Sequence, residues 1–282
     1  MAFWFAENHT DNVTLNIMVD QQLYSQKSEY QKIEIFQSRE FGRMLTLDDV
    51  IVLTEKDEFI YHEMIVHPAM AVHPDVRKVL VVGAGDGGAL RELCRYESIE
   101  SIDLVEIDAM LVEACKAYLP STAIGYDDPR VKVHNQDGLK FIRRLQDAYD
   151  LIIVDSNDPF GPGEVLFTKE FYGNCYKALR DHGIMINQHE SPFYSYEANA
   201  MRRAHRRIKE SFPIHSVYQA HIPSFPSGHW LFGFASITYQ PLDDLQAERW
   251  NNLDIKTRYY NTDLHKGAFY LPNYVKEMLG EK

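Results

Sequence analysis

Apolar residues fall along this chain in two rhythms. Over residues 1 to about 55 they come in short alternating runs. Asn12-Val-Thr-Leu-Asn-Ile-Met-Val19, Gln31-Lys-Ile-Glu-Ile-Phe36 and Arg43-Met-Leu-Thr-Leu47 each read as a strand, with turns at Gly42 and Asp48-Asp49. These predict a small antiparallel β domain over 1–55. From Glu58 to about Val72 the spacing of Phe59, Met64, Ile65 and Met70 predicts a helix. His73-Pro74 ends it, because a residue before proline leaves the helical region.

Beyond that helix the apolar runs become continuous and regularly spaced. Val79–Val82, Ile102–Ile107, Val131–His134, Leu151–Asp155 and Gly183–Asn187 read as strands. Leu151-Ile-Ile-Val154 is apolar on both faces, as a central parallel strand must be. Ser195–Phe212 predicts a polar helix whose Arg202, Arg203, Arg206 and Arg207 form a solvated face. Ser216–Ala220 and Trp230–Ile237 predict two late strands. The tail from Gln240, with Leu242, Trp250, Leu253, Tyr259 and Tyr260, is expected to pack back on the core. Alternating strands and helices imply an α/β fold over 56–282, a parallel sheet with helices on both faces.

Composition narrows the partners. The 282 residues are 45% hydrophobic and 25% charged, an ordinary globular balance. The net charge of −12 argues against nucleic acid and anionic membranes and suits a cationic substrate. Cys94, Cys115 and Cys175 form no C-x-x-C pair, so free thiols in a reducing cytoplasm are expected. No apolar run approaches the ~20 residues of a membrane span. The start, Met1-Ala-Phe-Trp-Phe-Ala-Glu7, lacks the basic-then-apolar pattern of a signal peptide.

The candidate chemistry begins after the first of the continuous strands. Gly83, Gly85 and Gly88 fit G-x-G-x-x-G between that strand and a helical pattern from Ala89. Glycines there let the backbone turn sharply and a ligand approach closely, with helix N–H groups facing the crevice. Glu106 ends the next strand, where an acid can bind ribose hydroxyls. Asp86, inside the loop, disfavours a pyrophosphate and favours a nucleoside with a cationic far end, such as an S-adenosyl compound. Asp137 and Asp155 also fall at or just past strand ends, so four carboxylates line one crevice. In Asp155-Ser-Asn-Asp-Pro-Phe-Gly-Pro-Gly-Glu164, Asp155 and Asp158 are expected to share a proton or hold a cation between them; a metal is compatible but not demanded, and an organic polycation fits as well.

At this point the chain resembles the polyamine aminopropyltransferases over nearly its whole length. The matching motifs are Thr54-Glu-Lys-Asp-Glu-Phe-Ile-Tyr-His-Glu-Met64, Gly83-Ala-Gly-Asp-Gly-Gly88 and Val105-Glu-Ile-Asp108, followed by Gln136-Asp-Gly138, Asp155-Ser-Asn-Asp-Pro159 with Gly161-Pro162, and Ile222-Pro-Ser-Phe-Pro-Ser-Gly228. The resemblance implies a Rossmann-like, class I methyltransferase-type domain behind the N-terminal β domain, in a homodimer or homotetramer. It implies transfer of the aminopropyl group of decarboxylated S-adenosylmethionine, a co-substrate, to an amine, usually putrescine. No resident cofactor or metal is implied.

By the same resemblance Asp155 is the base and Tyr61 orients the attacking nitrogen. Asp86 holds the ammonium of the aminopropyl group, Glu106 the ribose and Asp137 the adenine amino group, beside Gly83, Gly85 and Gly138. Gln31 and His62 match contacts near the sulfonium and the aminopropyl arm. Asp158, Gln188, Glu190 and Phe225 fall to the acceptor, with Tyr61, Asp86 and Asp155. Four positions depart from the pattern: Ala84 for glycine, Asn157 for serine or threonine, Phe225 for a frequent tyrosine, and Val52 for a frequent glutamine. The last three leave the acceptor open, with agmatine as an alternative to putrescine. An S-adenosylmethionine-dependent methyltransferase is the competing enzyme, and Asp86 opposes it by facing the methionine carboxylate. A dehydrogenase meets the same objection, and a non-catalytic nucleoside-binding homologue would lack Asp155 or the glycine loop.

Overall fold

The computed structural model describes residues 3–156 and 161–280. Asn157 and Asp158 lie outside the described residues.

The N-terminal sheet has five strands in sequence order: β1 (Phe3–Thr10), β2 (Val13–Lys27), β3 (Lys32–Ser38), β4 (Gly42–Leu47) and β5 (Val50–Thr54). Three of these were legible as strands. β1 and β5 were not, because β1 sets Phe3 and Trp4 outward and β5 is apolar without alternation. Ile33, Ile35, Leu45, Leu47 and Leu53 pack with Leu111, Ala114, Cys115 and Leu119, three of which belong to helix α3 (Ala109–Tyr118) of the larger unit. The opposite face carries its own cluster of Phe5, Ile17, Val19, Phe36, Met44 and Ile51.

The second sheet comprises β6 (Lys78–Gly83), β7 (Ser101–Val105), β8 (Val131–His134), β9 (Tyr149–Asp155), β10 (Leu179–Gln188), β11 (Ile214–His221) and β12 (His229–Ser236). Their order is β11-β12-β10-β9-β6-β7-β8. β6 to β10 are parallel, as the alternation implied. β12 runs antiparallel to both β10 and β11, which corrects the wholly parallel expectation. The cause is the short Ile222–Gly228 connection, which can join an antiparallel pair but not make a crossover.

Period-two burial divides the core. Val79, Val81, Leu151, Ile153, Ile184 and Ile186 face one side, with helix α1 (Glu58–Val72). Leu80, Val82, Ile152, Val154 and Met185 face the other, against the helices Lys169–Ala178 and Ser195–Ser211. α1 is buried nearly all round, its polar residues Glu58, His62, Glu63 and His67 included, although Pro68 lies inside it. Its acid Glu63 accepts the backbone N–H groups of Arg258, Tyr259 and Tyr260, each at 2.8 Å, and so ties the tail to the core. Trp250 and Tyr260 are buried as expected, whereas Leu242 and Leu253 stay exposed. Arg207 is half-buried and donates to the Phe167 carbonyl at 2.5 Å, so it leaves the solvated face assigned to it. Among the described residues no helix is long and apolar enough to cross a membrane.

Candidate active site

The carboxyl ends of β6, β7 and β9 open on a cavity of about 500 Å³ that also touches the N-terminal sheet. The turn after β6 is left-handed at Gly83 (φ 86°), Ala84 (φ 60°) and Gly87 (φ 86°). Ala84 N–H donates to the Asp155 carbonyl at 2.8 Å, which pins the loop to the end of β9. A Cβ on Gly83 would lie 2.0 Å from that carbonyl oxygen, so only glycine fits. Ala84 holds its left-handed geometry at a cost, since an L-residue there strains by roughly 1–2 kcal/mol.

At the β7 end, burial raises Glu106 to about 7, while its Oε1 accepts the Asp108 N–H at 2.8 Å. Asp108 caps α3 and its other oxygen accepts Gln31 Nε2 at 3.0 Å and Ser28 Oγ at 2.7 Å. Gln31 of the first unit is thereby aimed at the cavity it lines. Asp137 caps the helix Gly138–Ile142 through Lys140 N–H at 3.0 Å, and both Asp137 and Gly138 lie on the wall. A Cβ on Gly85 would meet Leu111 at 2.7 Å, and one on Gly138 would meet Val82 at 2.6 Å.

At the β9 end Tyr61 donates its hydroxyl to Asp155 Oδ1 at 2.5 Å. Asp155 Oδ2 is buried with no hydrogen-bond partner among the described residues. Burial and the adjacent Asp86 raise Asp155 to about 7. Burial, then Asp155, push the Tyr61 phenol well up, so it stays a neutral donor. Phe225 packs between Tyr61 (ring centroids 5.8 Å) and Trp230 (4.8 Å). Gln188 lines the cavity and donates to the Ser156 carbonyl and to Glu190 Oε1. Glu190 is buried and holds Gln188, its own N–H returning to Gln188 Oε1 at 3.1 Å.

His62 places Nε2 3.1 Å from Asp86 Oδ1 and Nδ1 2.5 Å from Glu58. Burial lowers its pKa, but Asp86 and Glu58 outweigh burial and bring it up to about 10. Burial likewise pushes Asp86 up, and His62 with the Gly88 N–H hold it below its ordinary range. His62, Asp86 and Asp155 offer donor atoms within 4.8 Å of one another, a metal-like grouping. With both ring nitrogens spent on carboxylates, His62 has no lone pair to give a metal. Sequence reasoning missed Glu58, Trp230 and Asp57. Glu58 could have been found from its i,i+4 spacing to His62. Asp57 accepts the backbone N–H (2.9 Å) and hydroxyl (3.1 Å) of Ser224, tethering the Phe225 loop to the start of α1.

Residues 58–244 match the spermine/spermidine synthase domain and residues 3–55 the spermidine synthase tetramerisation domain. The chain belongs to the spermine/spermidine synthase family. Curated relatives agree: the polyamine aminopropyltransferase of Alkaliphilus oremlandii is 62% identical over 279 residues, 99% of this chain and 98% of that protein. The polyamine aminopropyltransferase of Clostridium perfringens is 63% identical with the same coverage. Among solved structures, a spermidine synthase in complex with the transition state analogue AdoDATO superposes with a TM-score of 0.96 at 40% identity, over 99% of this chain and 95% of that one. Spermidine synthase from Thermotoga maritima gives 0.95 at 40%, over 99% and 94%. This chain is therefore an enzyme of the polyamine aminopropyltransferase, spermidine synthase type, and its reaction is aminopropyl transfer.

Proposed function

We propose that the enzyme moves the aminopropyl group of decarboxylated S-adenosylmethionine to putrescine, giving spermidine and 5'-methylthioadenosine. The observation that carries this reading is Asp155, fixed by Tyr61 through one oxygen, with its second oxygen buried and unpartnered among the described residues. An alkylamine resembles lysine, with a pKa of about 10, and must lose a proton before it can attack. The nitrogen lone pair forms a bond to the carbon beside the sulfonium, the carbon–sulfur bond breaks, and sulfur leaves as a neutral thioether. The amine proton passes to Asp155, whose pKa near 7 suits a base at neutral pH.

The donor then lies along the wall. Glu106 accepts its ribose hydroxyls, Asp137 its adenine amino group, and Gln31 and His62 flank the sulfonium and the aminopropyl arm. Gly83, Gly85 and Gly138 let the backbone of that wall pack closely on Asp155, Leu111 and Val82, and Asp86 takes the terminal ammonium. The acceptor lies against Tyr61, Asp86, Asp155, Gln188 and Phe225, with Glu190 acting through Gln188, and with Asp158 by resemblance. Agmatine remains the second reading, favoured by the aromatic faces of Phe225, Tyr61 and Trp230, which offer a planar guanidinium cation–π contact.

The exposed Phe3, Trp4 and Met18 on β1 and β2 support assembly into a homodimer or homotetramer through the N-terminal sheet. Three free cysteines support a cytoplasmic setting. The test is incubation with decarboxylated S-adenosylmethionine and a panel of amines, with products identified by mass. Spermidine from putrescine, formed faster than any other product, is expected. A methylated product from intact S-adenosylmethionine, with no aminopropylated one, would overturn the reading.

A further inference from the structure

Four charged side chains run inward from α2 (Gly88–Leu93) to the cavity: Arg91, Glu58, His62 and Asp86. Arg91 grips Glu58 with both terminal nitrogens, Nη1 to Oε1 at 2.8 Å and Nη2 to Oε2 at 2.9 Å. Its Nε is engaged with Glu92 at 2.9 Å, so the fork cannot swing away freely. Glu58 Oε2 lies 2.5 Å from His62 Nδ1, and His62 Nε2 lies 3.1 Å from Asp86 Oδ1. A lone pair on either ring nitrogen would face a carboxylate oxygen, so both nitrogens must carry hydrogen. The ring is held sideways too: a Cβ on Gly88 would lie 2.2–2.3 Å from three of its atoms. Asp86 Oδ1 is thus taken twice, by His62 and by the Gly88 N–H at 2.8 Å. Its Oδ2 has no such contact among the described residues, on a residue that lines the cavity.

We propose that Glu58, clamped by Arg91, is a positioning residue for the donor's tail, holding His62 doubly protonated and aimed at Asp86 so that Asp86 presents one free oxygen to the ammonium. This rests on the reading of Asp86 given above. The charged groups facing His62 are Glu58 from its own helix, Asp86 from the glycine loop and Asp155 from the end of β9, with Arg91 behind Glu58 and the Tyr61 ring edge-on at 5.5 Å. A buried imidazole with one carboxylate fewer loses its proton more easily, and the added hydrogen bond of Asp86 goes with it.

The test is Glu58→Gln in the full-length enzyme, with nitrogen-15 histidine spectra in which His62 is assigned by its loss in H62Q. Wild-type His62 is expected to stay doubly protonated from about pH 6 to about pH 9, and in E58Q to titrate inside that window, a drop of at least about one unit. Over the same range the donor KM of E58Q rises at least about tenfold relative to wild type, with kcat and acceptor KM moving much less. E58Q/H62Q should match H62Q alone. A His62 that stays protonated in E58Q overturns the inference, as does a titrating His62 with an unmoved donor KM. If E58Q does not fold, R91Q leaves Glu58 charged but unclamped, and a donor KM equal to wild type would overturn the inference. Asp86→Asn separates the underlying reading. If its preference for decarboxylated over intact donor is unchanged, the assignment of Asp86 falls, while the His62 spectra still decide whether Glu58 fixes the ring.

Discussion

The Tyr218 hydroxyl donates at 2.7 Å to the backbone carbonyl of Met64. That carbonyl is the one Pro68 leaves without its helical partner, since proline has no N–H to return four residues back. A side chain from β11 therefore repairs the helix that carries Glu58, Tyr61 and His62. Tyr218→Phe is expected to leave a buried acceptor unpaired and to cost about 1–3 kcal/mol in chemical denaturation. A midpoint and slope equal to wild type would show that α1 does not need the repair.

That bond also marks where sequence reading ends. The span of α1 was legible from apolar spacing and from His73-Pro74, and the fold class from the alternation of strands. The means of keeping Pro68 inside a helix was not, because Tyr218 lies 154 residues from the Met64 carbonyl that it satisfies. The same holds for Asp57 and Ser224, 167 residues apart, which read locally as ordinary turn residues. Asp86, Glu106, Asp137 and Asp155 were legible because strand ends in such a sheet converge on one crevice. Glu190 was expected at the acceptor, and its hold on Gln188 was not legible, since it depends on how two buried side chains pack at the end of β10.

Glu106 trades stability for a binding charge. Burial raises its folded pKa to about 7, above the unfolded value of about 4.3. The folded state binds more protons between those values, so stability falls as pH rises through that window, by roughly 4 kcal/mol from this group. Glu106→Gln keeps the bond from the Asp108 N–H and removes that slope. Thermal melts should show the variant gaining on wild type at about pH 8.5 and not at about pH 4, with Asp155 leaving its own slope in both. Calorimetry should show weaker donor binding. Parallel melting curves across pH would mean Glu106 ionises no differently when folded.

Phe225 offers a ring where a hydroxyl would reach the acceptor amine. A neutral hydrogen bond contributes about 0.5–1.5 kcal/mol net. Phe225→Tyr is therefore expected to raise kcat/KM for putrescine relative to agmatine by roughly two- to tenfold. Steady-state rates with both amines check it, and an unmoved ratio would shift attention to Asn157.

The most direct test is the chemical step of Asp155→Asn, measured by rapid quench in a single turnover with donor and putrescine bound. Asparagine is nearly isosteric and cannot accept the proton. The rate should fall about 10²–10⁴-fold, donor affinity should barely change, and higher pH should restore part of the loss as free amine appears. In wild type the acceptor kcat/KM should fall as pH drops below about 7, where the Asp155 carboxylate takes up a proton. A variant that turns over at a near wild-type rate at neutral pH would remove Asp155 as the base and contradict the account.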